Sequence, residues 1–342
     1  MDFSKLSKVE LKKHLGSMSQ VAGIRESVLS DGKSRGMRIA DIHTGSGLLF
    51  TVVPERGMDI MHASFKGIPL SIISANGYCH PSYHDPIGAG WLKTWGCGLM
   101  TGCGLVSAGA PEESQNLPLH GFLSNTPAEK ISCRQEWVNG KYNLSITGEI
   151  REAGFFGENL LLKRTISTSL GSNTIEITDL VKNEGFNPSP LMMLYHINLG
   201  FPLLSENSVV KAKKHNVEPR DDIAAKGIKD WHKFTGPVKN FQDQCFYHYI
   251  PEDNDGFARC TLSNEKLGLG FEVAYRKKEL PFLTEWKRTG EGEYVVGLEP
   301  ANCHVEGRTA EKEKFKTLKI LQPEESTEFK VRMTIKSRGG IL

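Results

Sequence analysis

The chain has 342 residues, 39% of them hydrophobic and 24% charged, and a formal net charge of +2. These proportions fit a soluble globular protein long enough to bury a substantial core. They exclude a basic nucleic-acid binder, and the sequence has neither a run of about twenty apolar residues to cross a membrane nor, from Met1 to Leu6, the apolar core of a signal peptide. Seven cysteines lie scattered at 79, 97, 103, 133, 245, 260 and 303, an odd number without a Cys-x-x-Cys. That pattern predicts reduced thiols in a cytoplasm, not a disulfide framework or a zinc site.

Residues 1–36 read as a short amphipathic helix and lead-in, packed on the outside of the fold. Ser7 and Glu10 form a capping-box pattern, and Leu11, Leu15 and Met18 follow at helical spacing. From Met37 onward the pattern is β. Strands are expected at 37–43, 48–53, 58–65 and 69–74, with turns at Gly45-Ser-Gly47 and Lys66-Gly67. Residues 75–125, rich in Gly, Pro, His and Trp, read as a long ordered loop region, and such loops tend to be functional. Strands resume at 128–137, 142–151, 160–169, 174–183 and 190–198, with Asn139-Gly140 as a two-residue hairpin turn. Residues 205–240 are polar and irregular. Strands at 257–263, 267–274, 282–287, 294–299, 315–321 and 328–336 complete the set. About fifteen short strands with almost no helix predict an all-β fold, a large β-sandwich, with 37–342 as one domain.

The most informative polar residue is Glu299. It ends an apolar run of Val295, Val296 and Leu298, and Pro300 follows at once. Proline has no amide for the ladder, so the strand is expected to stop there and present a carboxylate at the mouth of a sheet. Apolar walls raise a carboxyl pKa and suit the group to general-base work. The plainer reading is a glutamate paired with Lys287 or Arg288.

Two further segments bear on this choice. Residues 191–204 place His196 after an apolar stretch and before Asn198 and Gly200, and Pro118-Leu-His-Gly-Phe-Leu-Ser-Asn125 places His120 before a glycine. A His-Gly motif, a His–Asn-Leu motif and a Leu-Glu motif in this order and spacing resemble the galactose mutarotase (aldose 1-epimerase) superfamily, over roughly residues 35–335. Pro54-Glu-Arg-Gly-Met-Asp59, Gln244-Cys-Phe-Tyr-His248 and Gly297-Leu-Glu-Pro300 resemble a bacterial aldose-epimerase-like branch of mostly unassigned substrate. The resemblance implies a β-supersandwich and an isomerase that interconverts the α and β anomers of a free sugar without a cofactor. It implies Glu299 as base and His196 as acid on opposite sides of the sugar, with both pKa values drawn toward neutrality. Substrate-binding residues are expected at His120, Asn125, Arg56, Asp59, His248 and Trp286. Two features depart from the family pattern. Only Ile197 separates His196 from Asn198, and no Asn-Arg-Ile tripeptide supplies the usual sugar-binding arginine, so Arg56 is the candidate replacement.

Other residues keep two readings. Trp91, Trp95, Trp231 and Trp286 either stack on sugar faces or fill the core. Trp286 ends a strand hairpinned to that of Glu299, which places it at the same cleft. His248 closes the aromatic segment Phe246-Tyr-His, as a cleft residue or a satisfied core histidine. Arg56 and Asp59 flank Gly57, as a structural ion pair or a clamp on hydroxyls. Gly96–Gly104 lacks a Gly-Lys-Ser/Thr and a G-x-G-x-x-G, so it reads as a close-packed turn rather than a phosphate loop. His80 and His84 have the spacing of a metal pair, but Pro81 and Pro86 oppose a helix, and no metal is expected. There is no G-x-S-x-G elbow for a nucleophile. The expected partner is a small sugar (hexose, pentose or deoxy-sugar), bound by a monomer or homodimer, with neither nucleic acid nor membrane. The alternatives are a sugar-binding or sensing protein, or a sugar-phosphate epimerase or lyase on the same fold. The latter would want clustered cations, and Lys211, Lys213 and Lys214 look solvated.

Overall fold

The computed structural model describes residues 3–337, so the ends of the expected domains, residues 1–2 and 338–342, lie outside the described residues. The strands in chain order are β1 (Gly23–Val28), β2 (Arg38–His43), β3 (Leu48–Val53), β4 (Asp59–Phe65), β5 (Ile68–Pro69), β6 (Met100–Leu105), β7 (Glu129–Val138), β8 (Lys141–Ala153), β9 (Asn159–Ser169) and β10 (Thr174–Asn183). They continue as β11 (Ser189–Gly200), β12 (Ser208–Ala212), β13 (Val217–Pro219), β14 (Gln244–His248), β15 (Phe257–Asn264), β16 (Leu269–Arg276), β17 (Phe282–Gly290), β18 (Glu293–Ala301), β19 (Lys319–Leu321) and β20 (Ser326–Ser337). Two antiparallel sheets result. One has eight strands, ordered β12-β15-β16-β20-β10-β9-β8-β7. The other has twelve, running β1-β2-β3-β4-β6-β11-β18-β17-β14-β13, with β5 beside β4 and β19 beside β11. This is the all-β sandwich the strand pattern predicts. Among the described residues no helix is long and apolar enough to cross a membrane.

Alternation explains the layering. In β8, β10 and β20 every second residue is buried, which is the signature of a sheet with one face on the core. Ile146, Leu162, Ile177 and Val331 from that sheet meet Phe50, Tyr195, Ile197, Val296 and Leu298 from the larger one. By contrast β11 and β18 are buried almost throughout. Their second face is covered by the loops between residues 70 and 125, and it is there that the site forms. A buried ion pair staples the sheets beside it. Arg164 of β9 donates to Asp179 of β10 at 2.7 Å, and the Tyr195 hydroxyl of β11 donates to the same carboxylate at 2.8 Å. Tyr195 is the residue before His196, so this network fixes the strand that carries it.

The N-terminal helix α1 (Lys8–Lys12) has its capping box: the Ser7 amide donates to Glu10 Oε2 at 2.7 Å and the Glu10 amide to Ser7 Oγ at 3.2 Å. It is shorter than expected, and Leu15 and Met18 pack on the core from the following turns. The Asn139-Gly140 turn closes β7 onto β8 with φ values of 49° and 77°, as a type I′ hairpin requires.

Several expectations are corrected. Of the segment 69–74 only Pro69 is strand, as the end of β5 (Ile68–Pro69). The segment 315–321 is strand only from Lys319, after a π-helical turn at Glu311–Phe315. The loop region 75–125 hides a central strand, β6, and the irregular stretch 205–240 holds β12, β13 and the helix α2 (Asp222–Gly227). Pro300 does not end its strand, which runs to Ala301 with Pro300 opposite Leu283. What the proline does is interrupt the ladder to β11. That ladder pairs Leu194 with Ala301 and next Ile197 with Leu298, leaving the step at Glu299–Pro300 unpaired.

Candidate active site

One row across the larger sheet carries the polar side chains. The register of β11 on β18 sets His196 across from Glu299. On the far side of Glu299 stands Thr284 of β17, and beyond His196 stands Thr101 of β6. His196 Nε2 lies 3.3 Å from Glu299 Oε1, with side chains only 5% and 2% exposed. The two groups are side by side on neighbouring strands, not on opposite walls as expected. Neither candidate base pairs with Glu299. Lys287 points to the other face and donates to the Asp230 and Lys233 carbonyls at 2.9 Å, while Arg288 holds Glu293 and the Phe241 carbonyl.

Burial governs the protonation of the pair. It raises the Glu299 carboxyl to about 8, against the opposing charge of Arg220. It pushes His196 well below the ordinary imidazole value, and His120 adds to that. The values are therefore driven apart rather than together, because each charged form loses its hydration. Both shifts favour the uncharged forms, a protonated Glu299 beside a neutral His196.

His120 arrives from a loop, not a strand. Its φ of 61° and the φ of 73° at Gly121 make the chain turn sharply there. The turn is pinned by the His120 amide on the Gly109 carbonyl at 2.8 Å and by the Gly104 amide on the His120 carbonyl at 3.1 Å. Burial lowers His120 to about 4, so it is neutral. Its ring lies 5.5 Å from that of His196. Both imidazoles line the cavity, and Nδ1 of each is buried without a hydrogen-bond partner among the described residues. Unpaired buried polar atoms are costly, so they favour a ligand that supplies hydrogen bonds.

Three tryptophans enclose the histidines. Trp91 and Trp95 stack at 4.8 Å, Trp95 lies 5.0 Å from His196, and Trp286 lies 5.4 Å from it. Their edges are anchored: Trp95 Nε1 donates to Thr101 Oγ1 at 3.0 Å, and Trp286 Nε1 to Asp243 Oδ2 at 3.2 Å. The cavity above this row has a volume of about 890 Å³. Trp231 is elsewhere, against His215 and His248.

The cavity also contains an arginine that sequence reasoning missed. Arg220 precedes α2, donates to Asp221 Oδ2 through Nε and Nη2 at 2.9 and 2.8 Å, and lines the cavity with Cys245. The only local signal is Asp221 as a helix N-cap, which says nothing of a ligand. The β13–β14 pairing is what brings this segment to the site.

Four expected residues lie outside the cavity. Arg56 is buried and donates to the Cys79 carbonyl at 3.3 Å, Asn125 Oδ1 at 2.8 Å and Ser124 Oγ at 3.1 Å. It clamps two loops to the start of β4, which also commits Asn125. Asp59 accepts the Gly102 amide at 2.8 Å and is raised to about 7 by burial. His248 is three residues along β14 from Cys245, which lines the cavity, so it points to the inner face. There its Nε2 is 3.2 Å from Glu285 and its Nδ1 is 2.8 Å from His215 Nε2. Arg56→Ala is accordingly expected to lower the unfolding free energy by about 3 kcal/mol, the scale of stranded buried partners. Urea unfolding measures that loss, and sugar titration of the folded variant should show unchanged binding.

The family described as a domain of unknown function, DUF4432, matches residues 34–335. The chain belongs to this family. Solved structures share its fold. A Klebsiella pneumoniae protein proposed to be an aldose 1-epimerase is 28% identical with a TM-score of 0.86, over 91% of this chain and 83% of that one. A galactose mutarotase-like protein from Clostridium acetobutylicum is 13% identical with a TM-score of 0.66, over 93% of this chain and 100% of the other. Galactose 1-epimerase from Lactobacillus acidophilus is 10% identical with a TM-score of 0.60, over 92% and 99%. No functionally curated protein matches the chain. This DUF4432 protein therefore has the galactose mutarotase-like fold.

Proposed function

We propose that this protein is an aldose 1-epimerase-like isomerase that interconverts the anomers of a free sugar. The observation that carries the reading is the His196–Glu299 pair, 3.3 Å apart on the floor of a tryptophan-walled cavity. Ring opening needs one group to take the proton of the C1 hydroxyl and another to protonate the ring oxygen. Both oxygens sit on the same carbon, so neighbouring groups on one wall serve as well as opposed ones. Glu299 passes its proton to His196 Nε2 as the sugar enters. The carboxylate then takes the C1 hydroxyl proton, and the imidazolium protonates the ring oxygen. The open aldehyde turns about C1–C2 and closes on its other face by the reverse steps. One acid and one base suffice, so the reaction draws on no cofactor.

Other residues fit supporting roles. His120 lines the same space and would hold a ring or neighbouring hydroxyl oxygen. Trp95 and Trp286 offer aromatic surface to the apolar C–H faces of a pyranose. Arg220 keeps Nη1 outside its pair with Asp221 and would grip vicinal hydroxyls. All seven cysteines are unpaired, which supports the cytoplasm as the compartment.

The test is a panel of single anomers followed by polarimetry or NMR exchange, scored as rate above buffer at matched pH. Measurable sugar binding without excess exchange would turn the reading to a binding protein. Acceleration should also follow a defined pH profile. The active pair holds one proton, so activity falls as pH rises through about 8, where Glu299 loses that proton. The acid limb, where His196 gains a second proton, lies below the ordinary histidine range because His196 is pushed down. A profile that instead climbs through pH 8 would contradict this assignment.

A further inference from the structure

The cavity is longer than the reaction requires. Residues two apart on a strand share a face, and each residue advances about 3.3 Å. Glu299, Val295 and Glu293 of β18 all line the cavity, as do Thr284, Trp286 and Arg288 of β17. The floor therefore extends about 13 Å from Glu299 to Val295 and about 20 Å to Glu293. A single pyranose over the His196–Glu299 pair reaches Trp286 and no further. Pockets of about 300–1,000 Å³ take drug-sized ligands, and this one, about 890 Å³, stands near the top of that range. One ring would leave most of it to water.

The chemistry of the outer half is that of a neutral polyhydroxy ligand. Arg288 donates to Glu293 Oε2 at 2.9 Å through Nε and to the Phe241 carbonyl at 2.8 Å, and its Nη1 lies 3.7 Å from Asp243. Arg220 is already paired with Asp221. With both arginines matched by acids and Glu291 also on the lining, a phosphate or carboxylate would meet a wall of net negative charge. Hydroxyls, which both donate and accept, suit such pairs. Trp286 stands between the halves with its Nε1 fixed on Asp243, so it presents a rigid ring where two sugar units would meet.

We infer that the stretch from Trp286 to Arg288, Asp243 and Glu293 is a second sugar subsite, and that the substrate is an uncharged reducing oligosaccharide whose reducing end sits over Glu299. This rests on the reading of Glu299 and His196 as the anomer-exchanging pair. O4 lies across the ring from C1, so an O4-linked second unit leaves along the floor of β17 and β18.

The test compares glucose with maltose, cellobiose and lactose, which all end in a reducing glucose. At least one disaccharide should exchange with kcat/KM tenfold or more above glucose. Arg288→Ala should lower that value at least tenfold more than it lowers the value for glucose, with Arg288→Lys intermediate because the fork is lost but the charge kept. Glucose exchanging as fast as the disaccharides, or an equal loss for both in Arg288→Ala, would overturn the subsite. Should none of these sugars exchange, titration by tryptophan fluorescence separates the two claims. Tighter binding of a disaccharide than of glucose keeps the subsite and removes the exchange reading, whereas equal or undetectable binding removes the subsite.

Discussion

Glu299→Gln is expected to lower the excess rate of anomer exchange by about 10²–10⁴-fold, the usual worth of general acid–base help. The amide keeps the shape of the carboxyl, and the group is fully buried, so the fold and sugar binding should persist. It can neither release a proton to His196 Nε2, 3.3 Å away, nor accept one from the C1 hydroxyl. His196→Asn should cost a similar factor, since it removes the group that takes the Glu299 proton and delivers one to the ring oxygen. The double variant should lose little more than either single one, because the two groups act as one unit. Anomers also exchange spontaneously in water, so the rate must be taken above buffer at matched pH. Full activity of Glu299→Gln on a sugar that the wild type turns over would remove Glu299 from the chemistry even with the fold unchanged.

What the sequence reveals here depends on how local the cause is. Leu48–Val53 and Thr174–Asn183 are legible to the residue, since each is an apolar or alternating run closed by turn residues. The strand β6 is not, because its glycines answer to distant neighbours. A Cβ on Gly102 would come 3.0 Å from Arg164 Nη1, and one on Gly104 would come 2.4 Å from the Met192 carbonyl. The close packing of Gly96–Gly104 is legible, but its path as a central strand is not. β1 escapes for another reason: its sequence is polar, and all but two of its residues are exposed. In the site, Glu299, His196, His120 and Trp286 follow from motif order and strand pairing. Arg220 does not, because its place depends on how β13 pairs with β14. Arg56 and His248 show the converse. Each has the right chemistry on the wrong face, and for His248 the cross-strand partner settles it: Leu283, a core residue, stands opposite.

Gly297→Ala is expected to disable the site while leaving the protein folded. Gly297 pairs with Trp286 on one side and Asn198 on the other, and it shares the cavity face of β18 with Glu299 two residues on. A Cβ there would stand 2.4 Å from Glu299 Oε1 and 3.3 Å from His196 Cε1. The first distance is impossible, so the carboxyl must move. It is the far end of a flexible side chain, so the backbone need not yield, and stability should change by about 1 kcal/mol or less, as for a small substitution that spares the backbone. Chemistry is less forgiving, since a misplacement of about 1 Å can cost 10²-fold. The expected result is therefore a loss of about 10²-fold in exchange, with an unfolding midpoint close to wild type in the same urea titration. The pH profile distinguishes displacement from mere weakening. A carboxyl pushed off His196 toward the open cavity regains hydration, so its pKa falls from about 8 toward the ordinary range and the alkaline limb shifts down. An alanine variant with wild-type rate and an unshifted limb would mean that Glu299 sits clear of this glycine in solution, and the geometry assigned to the pair would be wrong.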